Sequence, residues 1–297
     1  MARFRRGSGI DDVTDRRGAS KGAMAGGAVG GVGVVGLVIY LLVSVLGGGG
    51  SGSGGFDIGT ALDGLSTGGS LPTEEVPPTG FDPDADLAAF VSDATTNIQD
   101  TWQAQFDASG EVYQRADVIL FEGSEPSGCG GATSAIGPHY CPPDQRVYLD
   151  LGFFEDLETR FGAPGDFAVA YVIAHEIGHH VQTLLGISSA VRSEAQRNPD
   201  QANELSIRQE LQADCFAGVW TAQAEDAGTL VLEPGDIDEG LTAAAAVGDD
   251  RIQEAATGRI DPESWTHGSA EQRTRWFTNG YESADPNTCD TYSIAEP

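Results

Sequence analysis

Positive charge is scarce in this chain. Its 297 residues hold 16 Lys+Arg against 45 Asp+Glu, a formal net charge of −29, and Lys21 is the single lysine. The scarcity is uneven. Six of the basic residues (Arg3, Arg5, Arg6, Arg16, Arg17, Lys21) and three of the acids fall in residues 1–22, leaving 10 against 42, net −32, in the remainder. A surface that acidic repels nucleic acid and anionic headgroups, so no nucleic-acid partner is expected. No internal repeat is present, which leaves a single core to explain.

Charge of either sign is missing from residues 23–46, a run of Ala, Gly, Val, Leu, Ile, Met, Tyr and Ser. A spanning helix needs about 20 such residues. The basic cluster before it and acids after it place the N-terminus in the cytoplasm by the positive-inside rule. An Ala-x-Ala-like cleavage site is lacking, which argues against a removed signal peptide. The expectation is an uncleaved single-pass anchor in the cell membrane, with the remainder extracytoplasmic. Gly26-x-x-x-Gly30 and Gly27-x-x-x-Gly31 offer a surface for homo-association of two anchors; a Gly-rich anchor with no partner is the plainer reading.

Residues 47–80 have no sustained hydrophobic period and are rich in Gly, Ser, Thr and Pro, the composition of a flexible linker. The resulting organisation is a cytoplasmic basic segment (1–22), a transmembrane helix (23–46), a linker (47–80) and one globular domain (81–297). Within the domain, helices are expected over 84–106, 152–161, 166–185, 203–226, 236–247 and 269–281. Strands are expected over 117–121 and 146–151. Helices with a small sheet make an α+β domain.

Cysteine is also sparse, four residues in all. An even number outside the cytoplasm points to disulfides. Cys129 and Cys141 bracket a loop dense in Gly and Pro that has too few apolar residues to pack on its own. Four cysteines allow three pairings. The expected one is Cys129 with Cys141, a local closure, and Cys215 with Cys289, tying the tail to the core. A Cys-His metal site using nearby His139 is the alternative for the first pair.

What the chain does contain is His175-Glu176-Ile177-Gly178-His179, inside the apolar, helix-compatible run that starts at Phe167. Residues four apart lie on one helix face, one turn apart, so both imidazoles can reach one ion. Glu176 sits slightly aside, where a general base is needed. Two His ligands and a Glu base are the arrangement of a zinc hydrolase. Two surface histidines on an ordinary helix are the bland alternative, and the apolar run argues against it.

A third ligand is needed. One class of such enzymes continues with Gly and His three and six residues after the second His; here those positions are Gln182 and Leu185, which excludes it. Downstream, Glu210 and Asp214 lie one turn apart in a second apolar helical run with Leu211, Cys215, Phe216 and Val219. Glu210 can complete a His-His-Glu site, and Asp214 can accept the other N–H of a ligand histidine and fix its tautomer. A solvated acidic face is the alternative reading of that pair.

These motifs carry a resemblance. Ser127-Gly128-Cys129-Gly130, the run from Gly137 to Asp150, His175 to Gln182, Glu210 to Trp220, Trp265 to Arg273, and the Arg3-Phe4-Arg5-Arg6-Gly7 start together resemble the bacterial neutral zinc metallopeptidases, a membrane-anchored family of thermolysin-like, Glu-ligated zincins. The resemblance implies a zincin-like fold, one Zn2+ per chain on His175, His179 and Glu210, and hydrolysis of a peptide or protein substrate with Glu176 as base. It implies an edge strand that holds the peptide extended, for which residues 147–150 are the candidate, with a plain core strand the equal alternative. It also implies a histidine far downstream that donates to the developing oxyanion. Of the five histidines, His267 is the candidate, with Tyr140, Tyr148 and Tyr171 next in line; a histidine that only caps the turn before the last helix is the alternative reading of His267. A catalytically silent binding module of the same fold is the rival from another class, and the intact Glu176 argues against it. A structural zinc protein is a third reading, and three ligands rather than four argue against that.

Overall fold

The computed structural model describes residues 2–5, 8, 12–18, 85–133 and 136–297. The expected transmembrane helix (23–46) and linker (47–80) lie outside the described residues. Among the described residues no helix is long and apolar enough to cross a membrane.

Two short strands come first, β1 (Arg3–Phe4) and β2 (Val13–Asp15). Helix α1 (Ala85–Ser109) buries Val91, Ile98, Trp102 and Phe106, a stripe at helical spacing. Strand β3 (Asp117–Phe121) leads into the hairpin β4 (Ser124–Ser127) and β5 (Gly130–Thr133), then β6 (His139–Cys141) and β7 (Arg146–Asp150). The rest is mainly helical: α2 (Gly152–Thr159), α3 (Asp166–Leu184), α4 (Ile187–Arg197) and α5 (Ala202–Asp226). The two-residue strand β8 (Leu230–Val231) precedes α6 (Asp236–Ala246), α7 (Asp249–Thr257) and α8 (Ala270–Ser283). The expected α+β class holds.

The main sheet has strand order β2-β3-β7-β6. β2 and β7 run parallel to β3, and β6 runs antiparallel to β7. This corrects the choice of residues 147–150 as the peptide-holding edge. β7 is interior, with Val147, Tyr148, Leu149 and Asp150 all buried, the pattern of a strand covered on both faces. The edge is β6. It escaped notice because three residues among Gly, Pro and Cys carry no alternation to read.

The basic segment 1–22, expected to stand apart from the domain, packs on it over the described residues. β1 pairs antiparallel with β8, and β2 pairs with β3 in the register Val13 to Val118. Each strand meets a partner far along the chain, so local pattern could not reveal the pairing.

Helix α3 is buried nearly all round, from Phe167 through Gly178, as a helix apolar on every side must be. It lies against α1, α5 and α6. Helices α5 and α8 approach until backbones touch. A Cβ on Gly218 would sit 2.1 Å from the Phe277 carbonyl oxygen, and one on Gly280 would sit 2.0 Å from that of Cys215. Both disulfides form as expected, Cys129–Cys141 and Cys215–Cys289. His139 instead stacks on Tyr148 with ring centroids 5.2 Å apart, so the Cys-His alternative falls.

Candidate metal centre and active site

Packing of α3 on α5 makes the site. Gly178, inside the His-Glu-x-x-His run, faces Ala213, and a Cβ there would lie 3.1 Å from the Ala213 carbonyl oxygen. The absence of a side chain lets the two helices close up beside their polar residues. Along this contact the structure brings together His175, His179 and Glu210, as expected from the spacing.

His175 Nε2 stands 3.2 Å from one Glu210 oxygen and His179 Nε2 stands 3.5 Å from the other. Zinc bound tetrahedrally at about 2.0–2.1 Å from N and O requires ligand atoms about 3.3 Å apart. The three side chains therefore fit that ion. The outer ring nitrogens fix the tautomers. The Nδ1–H of His175 donates to Asp214 Oδ1 at 2.8 Å, and that of His179 donates to Gln182 Oε1 at 2.9 Å. Both Nε2 lone pairs are thereby left for a metal.

Asp214 is fully buried and does more than was expected of it. It also accepts the Tyr171 hydroxyl and two N–H groups of Arg273, at 2.8 and 2.9 Å. Burial alone would raise its pKa; Arg273 and His175 outweigh burial and hold it at about 2. Burial likewise works against a charged His175, and the Asp214 and Glu210 carboxylates override it, raising that ring to about 9, so a metal that binds Nε2 displaces a proton there. The His175 and His179 rings overcome the burial of Glu210 and hold it well below the usual carboxylate range. The centre is thus a buried network in which each charge has a partner, the condition for keeping charges inside a protein.

Glu176 and His267 share one cavity with His175 and Glu210. Phe153, Phe161, Val172, Val247 and Ile252 form its apolar wall. His267 is held from behind by Asp249, which accepts its Nδ1–H at 3.0 Å and its backbone N–H at 2.6 Å. The same carboxylate accepts the backbone N–H groups of Thr266 and Gly268. Burial raises the Asp249 pKa, but the His267 hydrogen bond outweighs it and the carboxyl is lowered overall. His267 does not cap α8; Ser269 does, in a capping box with Gln272. The three tyrosines next in line are engaged elsewhere: Tyr171 with Asp214, Tyr140 with His180, and Tyr148 with Asp144.

Sequence reasoning missed Gln182, Arg273 and Asp249. Gln182 and Arg273 stood inside stretches already singled out, one turn past His179 and at the end of the His267 stretch, yet neither is an unusual residue at its position. Asp249 lies in a weakly patterned run, and only the fold brings it to His267.

A model of the family described as "Putative neutral zinc metallopeptidase" matches residues 2–292. The "Uncharacterized protein YpfJ" of Escherichia coli (strain K12) is 44% identical over 287 residues, covering 95% of this chain and 96% of the relative. The "Uncharacterized protein Rv2575" of Mycobacterium tuberculosis (strain ATCC 25618 / H37Rv) is 52% identical over 193 residues, 62% of this chain and 64% of the relative. No solved structure matches the chain. A family match running over nearly every residue, joined to 44% identity along almost the whole Escherichia coli relative, makes this chain a member of that zinc metallopeptidase family.

Proposed function

We propose that the chain is a zinc-dependent endopeptidase of zincin architecture that works outside the cytoplasm, attached to the membrane through residues 23–46. The observation that carries the reading is the convergence of His175 Nε2, His179 Nε2 and both Glu210 oxygens, with Glu176 and His267 on the wall of the adjoining cavity. Two disulfides support the extracytoplasmic placement.

When bound by these three ligands, zinc supplies a Lewis acid that polarises the scissile carbonyl and acidifies water. Glu176 accepts the proton of the attacking water and passes it to the nitrogen of the leaving amine. His267 turns Nε2 to the reaction because Asp249 occupies Nδ1, and it donates to the carbonyl oxygen when the ring carries both protons. Among the described residues β6 is an edge strand, and an extended peptide can add beside it, since Pro138, just before β6, lines the same cavity. The apolar wall receives a substrate side chain beside the cut.

The test is cleavage of a broad library of quenched fluorescent peptides by the zinc-loaded protein and by Glu176→Gln. Cleavage lost in Glu176→Gln, with zinc content unchanged, supports the reading. Equal turnover in both, or none in the zinc-loaded protein, sinks it in favour of a binding module.

A further inference from the structure

The N-terminal segment is bound to the domain along its described length. Ala2 is 3% exposed. The Phe4 ring packs on Phe90 and Trp220, at centroid distances of 5.3 and 6.5 Å. The Arg5 N–H donates to the Thr229 carbonyl at 2.8 Å, and the Ser8 N–H donates to Asp100 at 2.7 Å. Asp12, 8% exposed, takes Arg115 on both its oxygens. Main-chain bonds of 2.8 Å bracket β2 at each end, from Val118 N–H to the Asp12 carbonyl and from Arg16 N–H to the Leu120 carbonyl.

This is strand addition with side-chain anchors, not a loose tail. Without β2, the outer edge of β3 has no strand beside it, and a bare strand edge is a liability that proteins cover. Without Asp12, the half-buried Arg115 loses a bidentate partner. The family match begins at residue 2, inside this segment.

The consequence is one of parity. A chain that crosses a bilayer an odd number of times between residues 18 and 85 leaves its two ends in different compartments, where they cannot pair. We propose that residues 2–18 are an integral part of the metallopeptidase domain, folded in the same compartment as residues 85–297, so that the run 23–46 does not carry the chain singly across the membrane between them. This replaces the topology with the N-terminus inside and the domain outside, leaving residues 23–46 to attach the chain to the membrane from one side only, and it does not rest on the peptidase activity. Donation of the segment to a second copy would place it in the same compartment too.

The test uses the full chain in cell membranes. Arg3→Cys with Val231→Cys, and separately Thr14→Cys with Asp117→Cys, place thiols on partners that face each other. Each substitution is also made singly and its thiol probed with a membrane-impermeant maleimide, on intact cells and on opened ones. The expected result is a cross-link in both double variants, within or between chains, and labelling of the Arg3→Cys and Val231→Cys single variants from the same side. Labelling of Arg3→Cys only from the side opposite to Val231→Cys overturns the proposal, as does failure of both pairs to cross-link.

Discussion

Asp249 grips His267 at two points, through the ring Nδ1 at 3.0 Å and the backbone N–H at 2.6 Å, although the two lie on different elements of the chain. A histidine fixed by a buried carboxylate and set on the wall of the cavity is placed to meet negative charge. An oxyanion donor is commonly worth about 3 kcal/mol. His267→Ala should therefore cut kcat roughly a hundredfold, with zinc content and Tm unchanged. Asp249→Asn should lower kcat in the same direction by freeing the ring. Steady-state kinetics on a cleaved library peptide decide it; unchanged turnover in His267→Ala makes the residue structural.

Glu210→Ala should lose the metal, measured by elemental analysis, because two imidazoles alone leave the site a ligand short. Gln182→Ala should weaken zinc binding about 10–100-fold by releasing the His179 ring, with the fold retained. Full zinc occupancy in Glu210→Ala removes that residue from the site.

Asp214→Ala has two consequences that can be separated. It frees the His175 tautomer and it leaves the buried Arg273 unpaired. Stranding one partner of a buried pair costs about 3–5 kcal/mol. The single variant should bind zinc more weakly and melt well below the parent. Adding Arg273→Met should restore much of the Tm without restoring zinc affinity. Recovery of both together would mean that Asp214 serves only to neutralise Arg273.

The two disulfides should differ in weight. Cys215–Cys289 closes a loop of 74 residues and Cys129–Cys141 one of 12. Chain entropy puts the first at roughly 4 kcal/mol and the second at about 3 kcal/mol. Replacing Cys215 and Cys289 by Ala should lower the denaturant midpoint more than replacing the other pair. The reverse order would show that the tail is held instead by Arg208, which donates to the carbonyls of Thr291, Ile294 and Ala295.

Where the chain announces itself, local chemistry and packing agree. Helices α3 and α5 were legible because long apolar runs carry their polar residues at one-turn spacing, and the same spacing placed His175, His179, Glu210 and Asp214 on facing sides. Helices α4 and α7 were missed. The first has only Ser188 buried, and a polar helix on the surface leaves no periodic stripe to read. Strand β6 is too short to show alternation, so the interior β7 took its place as the candidate edge. Asp249 and Arg273 act through partners that only the tertiary fold supplies, and β1 and β2 do so through main-chain pairing, which side-chain pattern does not encode; Gln182 meets His179 within one helical turn, a local pair that an ordinary glutamine does not flag.

The central claim is a zinc ion held by His175, His179 and Glu210. Diffraction data collected on crystals of the zinc-loaded protein on both sides of the zinc absorption edge test it most directly. The account predicts one anomalous peak per chain, about 2.0–2.2 Å from both Nε2 atoms and a Glu210 oxygen. A peak on other residues, or none in protein that still cleaves peptides, would contradict it.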